Sequence, residues 1–376
     1  MKKYTIFLIG LFFLACSSSS SYVEDFFVPE IPFPVENLKL ENDNLYGEVR
    51  DYEFSLFKTK FKFNLSLDED LYNEVKFISK DSGIDSGDGI RQDQYDVFVY
   101  DKTDEEVLGD ILSIFKNRSG RLDYDLVQIL VAFVQSIEYD NNADLPKYTL
   151  ETLFLNKGDC DDKSILLSKL LSYAGYETCL FIYEEGQHMA VGLKIDDYES
   201  SYRDGFVYIE TTGNSPIGKI PEEFAGGISV LDEEPVILYV DVIGSTYQVS
   251  GFNELNKFYN EIEYIYGEDY FYSSFEGKIL KEEIFELTNN SEDIKNLMKI
   301  EEEKIEEVRS KINDLGGCSG TLEQSIYDLC LPLNDELSSK ISEYNKLVNS
   351  FNSTINQINS LINNYNNLRS KDYIKV

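Results

Sequence analysis

Nine apolar residues between Leu337 and Tyr365 recur in alternating steps of four and three: Leu337, Ile341, Tyr344, Val348, Phe351, Ile355, Ile358, Ile362 and Tyr365. A seven-residue apolar repeat sustained in this way specifies a helix with one narrow seam that must meet a partner. At about 1.5 Å per residue the repeat spans roughly 42 Å. Met298, Ile305, Val308, Ile312 and Leu315 continue the same logic on a second helix upstream. Between them lie Gly316-Gly317-Cys318 and Cys330-Leu331-Pro332, where the chain is expected to turn back. Residues 286–376 are therefore read as an antiparallel coiled-coil hairpin, a spacer, an oligomerisation stalk or a docking surface. Its outer face is rich in Asn and Ser, so no charge code names a partner.

Ahead of the hairpin the period changes. Residues 22–50 carry Pro29, Pro32 and Pro34 amid acidic and aromatic residues and read as an extended linker with little regular structure. From Tyr52, Phe54 and Leu56, then Phe61, Phe63, Leu65 and Leu67, alternate with period two, which predicts a β-hairpin turning near 58–60. A short helix over 70–78, a loop over 81–89 and a strand over 95–100 follow. Helical spacing then runs through 105–116, 125–137 and 150–155, and through a helix from Cys160 that stops at Gly175. Strands are expected at 178–183, 188–195 and 206–212. Helices followed by strands make an α+β chain. The domains read as 51–228, a 229–285 α/β extension with strands at 236–242 and 246–249 and a helix at 253–265, and the hairpin.

The chain has one histidine, His188, and it lies 28 residues after Cys160. A single imidazole cannot build a His-rich metal site, so no metal and no other cofactor is expected. A thiol with a base is the pairing left. Cys160 stands in Gly158-Asp159-Cys160-Asp161-Asp162-Lys163 at a predicted helix N-terminus, where the helix dipole favours a thiolate. The three aspartates oppose that if they face the sulfur, and are expected to turn outward or cap the helix. His188 opens a strand, suitably placed to accept and return a proton. Glu210, in Tyr208-Ile209-Glu210-Thr211-Thr212-Gly213, is the best carboxylate to orient the imidazole, with Asp196, Asp197 and Asp204 as rivals. An oxyanion hole needs the Cys160 N–H and one further donor, for which Gln135 is a candidate. Cys179 reads as a buried small hydrophobe in a strand.

In order and spacing, Phe133-Val134-Gln135-Ser136-Ile137-Glu138-Tyr139, Glu151-Thr152-Leu153, Gly158 to Leu166, Gly175-Tyr176, His188-Met189-Ala190-Val191-Gly192 and Glu210-Thr211-Thr212-Gly213 make the chain from about Tyr52 to Phe224 resemble the prokaryotic branch of the transglutaminase-like superfamily. The resemblance implies a papain-like core, in which helices carrying the cysteine pack on an antiparallel sheet carrying the histidine and the acid. It also implies that Cys160 is the nucleophile, His188 the base and then the acid, and Glu210 the orienter. Animal transglutaminases have Trp directly after the nucleophile and another upstream, whereas this chain has Asp161 and no Trp. That departure favours hydrolysis over protein cross-linking.

Lys2 and Lys3, an apolar run from Tyr4 to Ala15, then Cys16 and Ser17 to Ser20 read as an export signal over 1–15. The run is too short for the roughly 20 residues that span a bilayer. Leu14-Ala15-Cys16 resembles the bacterial lipobox, which implies lipidation at Cys16 and a tether through 16–50. The chain is then expected as an envelope lipoprotein facing the periplasm or exterior, where Cys318 and Cys330 form a disulfide. The formal charge of −35 disfavours nucleic acid as a partner. The expected function is a membrane-tethered cysteine peptidase or amidase acting through a thioester on a peptide or protein. The alternative is a non-catalytic scaffold that binds peptides and assembles through the hairpin.

Overall fold

The computed structural model describes residues 36–40, 47–78, 80, 93–116, 123–140, 145–196, 201–221, 233–242, 249, 251–320 and 322–372. The signal over 1–15, Cys16, the linker prolines and the loop over 81–89 lie outside them. The chain divides into two units, one within 29–279 and one within 280–370. It is a mixed α+β chain with a pair of long C-terminal helices.

The first unit opens with a three-stranded sheet in the order β1-β3-β2, from β1 (Glu36–Leu40), β2 (Glu48–Leu56) and β3 (Thr59–Leu67). The predicted hairpin is β2–β3, turning at Phe57-Lys58. Its period-two face buries Tyr52, Phe54, Phe61, Phe63, Leu65 and Leu67, with Phe54 stacked on Phe61 at 4.7 Å. The stretch read as unstructured linker contains β1, which pairs in parallel with β3. Two alternating leucines, Leu38 and Leu40, suffice there because β3 offers an open edge of backbone donors and acceptors.

Six helices follow: α1 (Glu69–Lys76), α2 (Asp93–Val99), α3 (Glu105–Lys116), α4 (Asp123–Ser136), α5 (Thr149–Leu155) and α6 (Cys160–Ala174). Short strands β4 (Glu138–Tyr139) and β5 (Lys157–Gly158) pair in parallel before α6. The segment expected as a strand over 95–100 is α2. Gln94, Tyr95, Phe98 and Val99 are buried while Val97 is 44% exposed, a helical rather than an alternating pattern. Gly175 ends α6 in the left-handed region at φ 100°, where its N–H bonds back to the last helical turn.

A four-stranded antiparallel sheet, ordered β8-β7-β6-β9, covers the helices: β6 (Thr178–Tyr183), β7 (His188–Lys194), β8 (Phe206–Ile209) and β9 (Val236–Val240). β8 stops at Ile209, short of the expected 212. The boundary read at residue 228 does not end a folded unit. β9 is the edge strand of this sheet, and Phe252, Leu255 and Ile262 of α7 (Phe252–Tyr266) and Tyr270 of α8 (Asp269–Tyr272) join the same core as α4 and α6. Of the strand expected over 246–249 only Val249 is described, and it bridges Ile195.

Each face of the sheet has its own apolar cluster. Leu180, Ile182, Met189, Val191, Val207 and Ile209 belong to the cluster of the helices. Cys179, Phe181, Tyr183, Ala190, Phe206 and Tyr208 form the other. A Cβ on Gly192 would come within 2.3 Å of the Cys179 sulfur, so glycine is the residue this contact admits. Because alternate residues share a face, His188 and Glu210 have the parity of Ala190 and Tyr208.

α9 (Phe275–Asp314), which enters the second unit at residue 280, and α10 (Gln324–Asp372) run antiparallel. Lys281 lies over the Tyr365 ring at 5.1 Å and Lys340 lies 3.6 Å from Glu301, so residues meet in reversed order. The inward stripe of α10 is Phe351, Thr354, Ile358, Leu361 and Tyr365 at its far end, while Ile362 is 39% exposed. A helix of 3.6 residues per turn drifts off a strict 3.5 repeat, which moves the seam by one residue there. Pro332, expected in the turn, lies inside α10, which begins at Gln324. Cys318 and Cys330 are joined in a disulfide at the turn end.

Lys169 of α6 is buried with its Nζ 2.6 Å from Asp104 Oδ2, and it also donates to the carbonyls of Asp101 (2.8 Å) and Phe98 (3.3 Å). Removing one partner strands the other's charge in the core. Lys169→Met should lower unfolding stability by about 3–5 kcal/mol, and adding Asp104→Leu should restore most of it. Urea denaturation of both variants checks this.

Candidate active site

The sequence places Cys160 at the first helical position of α6, and the local chemistry that starts that helix is explicit. Asp159 is the N-cap: its side chain accepts from the N–H groups of Asp161 and Asp162, both at 3.2 Å. Asp162 reaches back to accept from the Asp159 N–H at 3.1 Å, closing a capping box, and is paired with Lys147 at 2.7 Å. Two of the three aspartates are thus structural. Asp161 behaves differently from expectation. Its Oδ1 accepts from the Cys160 thiol at 3.5 Å and its Oδ2 from the Tyr95 hydroxyl at 3.3 Å, so this carboxylate faces the sulfur.

His188 begins β7 immediately after Gln187, whose φ of 46° lies in the left-handed region that favours glycine. That turn points the Gln187 carbonyl at Cys160 Sγ, 4.0 Å away, while the Met189 N–H donates to the same sulfur. The sulfur therefore sits between the two peptide groups that flank His188. Ser164, one turn along α6, bonds the Met189 carbonyl at 3.1 Å and the Thr211 hydroxyl at 3.0 Å. One small hydroxyl ties the cysteine's helix to both strands that carry the other two residues.

Glu210 lies just past the end of β8, diagonal to His188 if the β7–β8 register is continued. Its Oε2 is 3.0 Å from His188 Nε2 and accepts from the Tyr208 hydroxyl at 2.8 Å. Its Oε1 accepts from the N–H groups of Thr211 (3.0 Å) and Thr212 (2.8 Å) and from the Thr212 hydroxyl (2.6 Å). Burial opposes ionisation of this carboxyl, but His188 and Thr212 outweigh it and hold the group down at about 2. Of the rivals, Asp204 accepts from the Tyr239 hydroxyl with its carboxylate and from Lys194 with its backbone carbonyl, Asp197 lies outside the described residues, and Glu210 is the carboxylate that pairs with His188.

Three further observations revise the sequence reading. Gln135 donates its side-chain amide to the carbonyls of Glu210 and Ser215, both at 2.9 Å, so it positions the acid's loop and is not an oxyanion donor. Lys163 is fully buried with its Nζ on the carbonyls of Gln135 (3.1 Å) and Ile137 (2.8 Å), where it closes the C-terminus of α4. The Cys160 thiol is pushed well above its ordinary value, by burial first and then by Asp161 and Asp159, against the Met189 N–H. This direction opposes the thiolate expected from the helix N-terminus.

Tyr208 and Tyr139 are the residues that sequence reasoning missed. The signal for Tyr208 was its parity with Glu210, two residues on along the same face. Tyr139 is 36% exposed, and burial followed by nearby acidic groups pushes its phenol up to about 12, which keeps it neutral. Cys179 is a free buried thiol within the opposite cluster of the sheet. Among the described residues no group of three or more His, Cys, Asp or Glu side chains is arranged to hold a metal ion, and no helix is long and apolar enough to cross a membrane.

No protein-family model matches the chain, and no curated protein matches it. Among solved structures it is similar to one described as "Crystal structure of a TGase", at 15% identity and a TM-score of 0.24. The match covers 43% of this chain and 43% of that one, so the chain spans less than half the length of that protein.

Because the Glu210 pKa is depressed on folding, its contribution to stability is fully present above the ordinary carboxylate range and is lost as pH falls through about 2. Tyr208→Phe removes a charge-directed hydrogen bond of about 1.5–3 kcal/mol, which is roughly one to two pKa units. The expected outcome is an upward shift of the Glu210 carboxyl by that amount, read by NMR titration of the labelled side chain, with stability lost at a correspondingly higher pH.

Proposed function

We propose that this chain is a cysteine enzyme of the transglutaminase-like kind, with a papain-like core, that cleaves an amide through a thioester on Cys160. The observation that carries the reading is the 3.0 Å pairing of His188 Nε2 with Glu210 Oε2 beside a sulfur that touches the peptide groups on both sides of His188. With Nε2–H directed at an ionised Glu210, Nδ1 is the nitrogen that exchanges a proton with the thiol. The Cys160 proton passes to Nδ1 as the sulfur attacks the carbonyl carbon. The imidazolium then returns it to the leaving nitrogen as the C–N bond breaks. Water attacks the thioester, giving one proton to His188 and releasing the acid, and the sulfur takes that proton back.

Since the thiol is protonated at rest, His188 acts as a general base during attack rather than as half of a preformed ion pair. The Cys160 N–H, at the first position of α6, is one donor for the oxyanion, and Tyr139 takes the place that Gln135 cannot fill. Water is the proposed acceptor, because the chain has no Trp beside its nucleophile. The substrate is proposed as a peptide, isopeptide or wall cross-bridge, reached by an exported protein tethered through Cys16, with the C-terminal helices serving self-association or docking. A second reading, a peptide-binding scaffold without catalysis, is favoured by one observation: Asp161 and burial both suppress the thiolate.

Iodoacetamide alkylation followed by peptide mapping separates the two. Labelling of Cys160 that slows at least about ten-fold in His188→Ala, with a thioester trapped on Cys160 by activated peptide amides, is the expected result for the enzyme. Labelling that His188→Ala leaves unchanged sinks it. Asp161→Asn removes the nearest negative charge and should move the pH profile of alkylation downward, since that charge raises the thiol pKa.

A further inference from the structure

Lys278 is the buried cation that the site above does not use. It lies in the first turn of α9, within the first unit, and is 8% exposed. Burial lowers its ammonium to about 8, and no carboxylate among the described residues acts on it. Lys278 lines a cavity of about 50 Å³ together with Gln128 of α4, which is 2% exposed. The Gln128 amide is oriented by Tyr259: the Tyr259 hydroxyl oxygen accepts from the Ile217 backbone N–H, so its proton goes to Gln128 Oε1 at 3.2 Å. Gln128 Nε2 is left as a buried donor without a partner.

A desolvated ammonium and an unpartnered amide N–H on one cavity are each costly to bury. What satisfies both is an acceptor with a single negative charge. The remaining walls are mainly apolar, with Leu56, Val131, Ile217 and Phe271 among them. A water needs roughly 10–15 Å³ of such space, so the cavity has room for a carboxylate with a short carbon chain. A dianion such as phosphate would place oxygens against the apolar wall and leave a charge uncompensated.

We propose that this cavity is a binding site for a short-chain monocarboxylate, held by Lys278 and Gln128. Gln135 and Ser215 also line the cavity, and the Gln135 amide is what holds the Glu210 and Ser215 carbonyls. The occupant thus sits behind the loop that presents Glu210. The proposal does not rest on catalysis at Cys160.

Isothermal titration of the purified full chain with sodium propionate, against sodium chloride at equal ionic strength and against phosphate, tests it. The expected result is saturable propionate binding, absent with chloride and phosphate, and unchanged in Cys160→Ser, which separates it from the enzyme reading. Lys278→Met and Gln128→Glu should each weaken binding at least about ten-fold, the first by removing the charge and the second by supplying an internal carboxylate. Circular dichroism shows that each variant is folded; if one is not, the other carries the test. Propionate heats no larger than chloride, phosphate binding in place of propionate, or a folded variant that binds as wild type overturns the proposal.

Discussion

An ionised carboxylate buried in protein must be surrounded by donors, and Glu210 meets that demand with His188, Tyr208 and the Thr211-Thr212 pair. Much of the first unit can be understood from this requirement. Tyr208 must share a strand face with Glu210, which sets the parity of β8. The backbone must turn sharply after Ile209 to bring two successive N–H groups onto one oxygen, which is why β8 ends where it does. Gln135 from α4 holds the turn by its carbonyls, and Ser164 from α6 holds the neighbouring threonine. The helices are thus fastened to the acid's loop by side-chain hydrogen bonds.

The Cys160 sulfur is placed by an opposing set of forces. The helix N-terminus and the Met189 N–H favour a thiolate, while burial and Asp161 disfavour it, and the second pair prevails. Asp161 faces the sulfur while its neighbours are otherwise engaged: Asp159 caps α6 and Asp162 is committed to Lys147. A cysteine kept protonated is protected from adventitious oxidation, which tracks thiolate character. The only imidazole in the chain sits next to the two peptide groups that hold the sulfur.

Three buried lysines of the first unit solve one problem in three ways. Lys169 meets a carboxylate, Lys163 meets the carbonyls at the end of α4, and Lys278 meets a cavity. The first two are complete within the protein. They fasten α6 to its neighbours and so fix the orientation of the helix that bears Cys160. Lys278 differs because no carboxylate among the described residues acts on it, and the cavity it lines reaches the Glu210 loop through Gln135.

Elements whose burial follows one period were legible directly: β2–β3, α3, α4, α6 and β6 begin and end within a few residues of where apolar spacing and caps place them. Cys160, His188 and Glu210 were legible as residue types in order, because one histidine and one activated position leave few combinations. Short segments were not, since seven residues at 93–99 satisfy either period and only contact with the helical cluster selects α2, while β1 exists because β3 has an edge to offer. The roles of Gln135, Asp161, Tyr208 and Lys278 were closed to sequence reasoning for a different reason. Each depends on which way a side chain faces and on what comes from a distant part of the chain to meet it. Local pattern and the inventory of reactive groups therefore belong to the sequence alone. The state of the thiol, the partners of the acid and the unmatched charge at Lys278 belong to tertiary structure, because desolvation and the direction of hydrogen bonds exist only once the chain has closed around them.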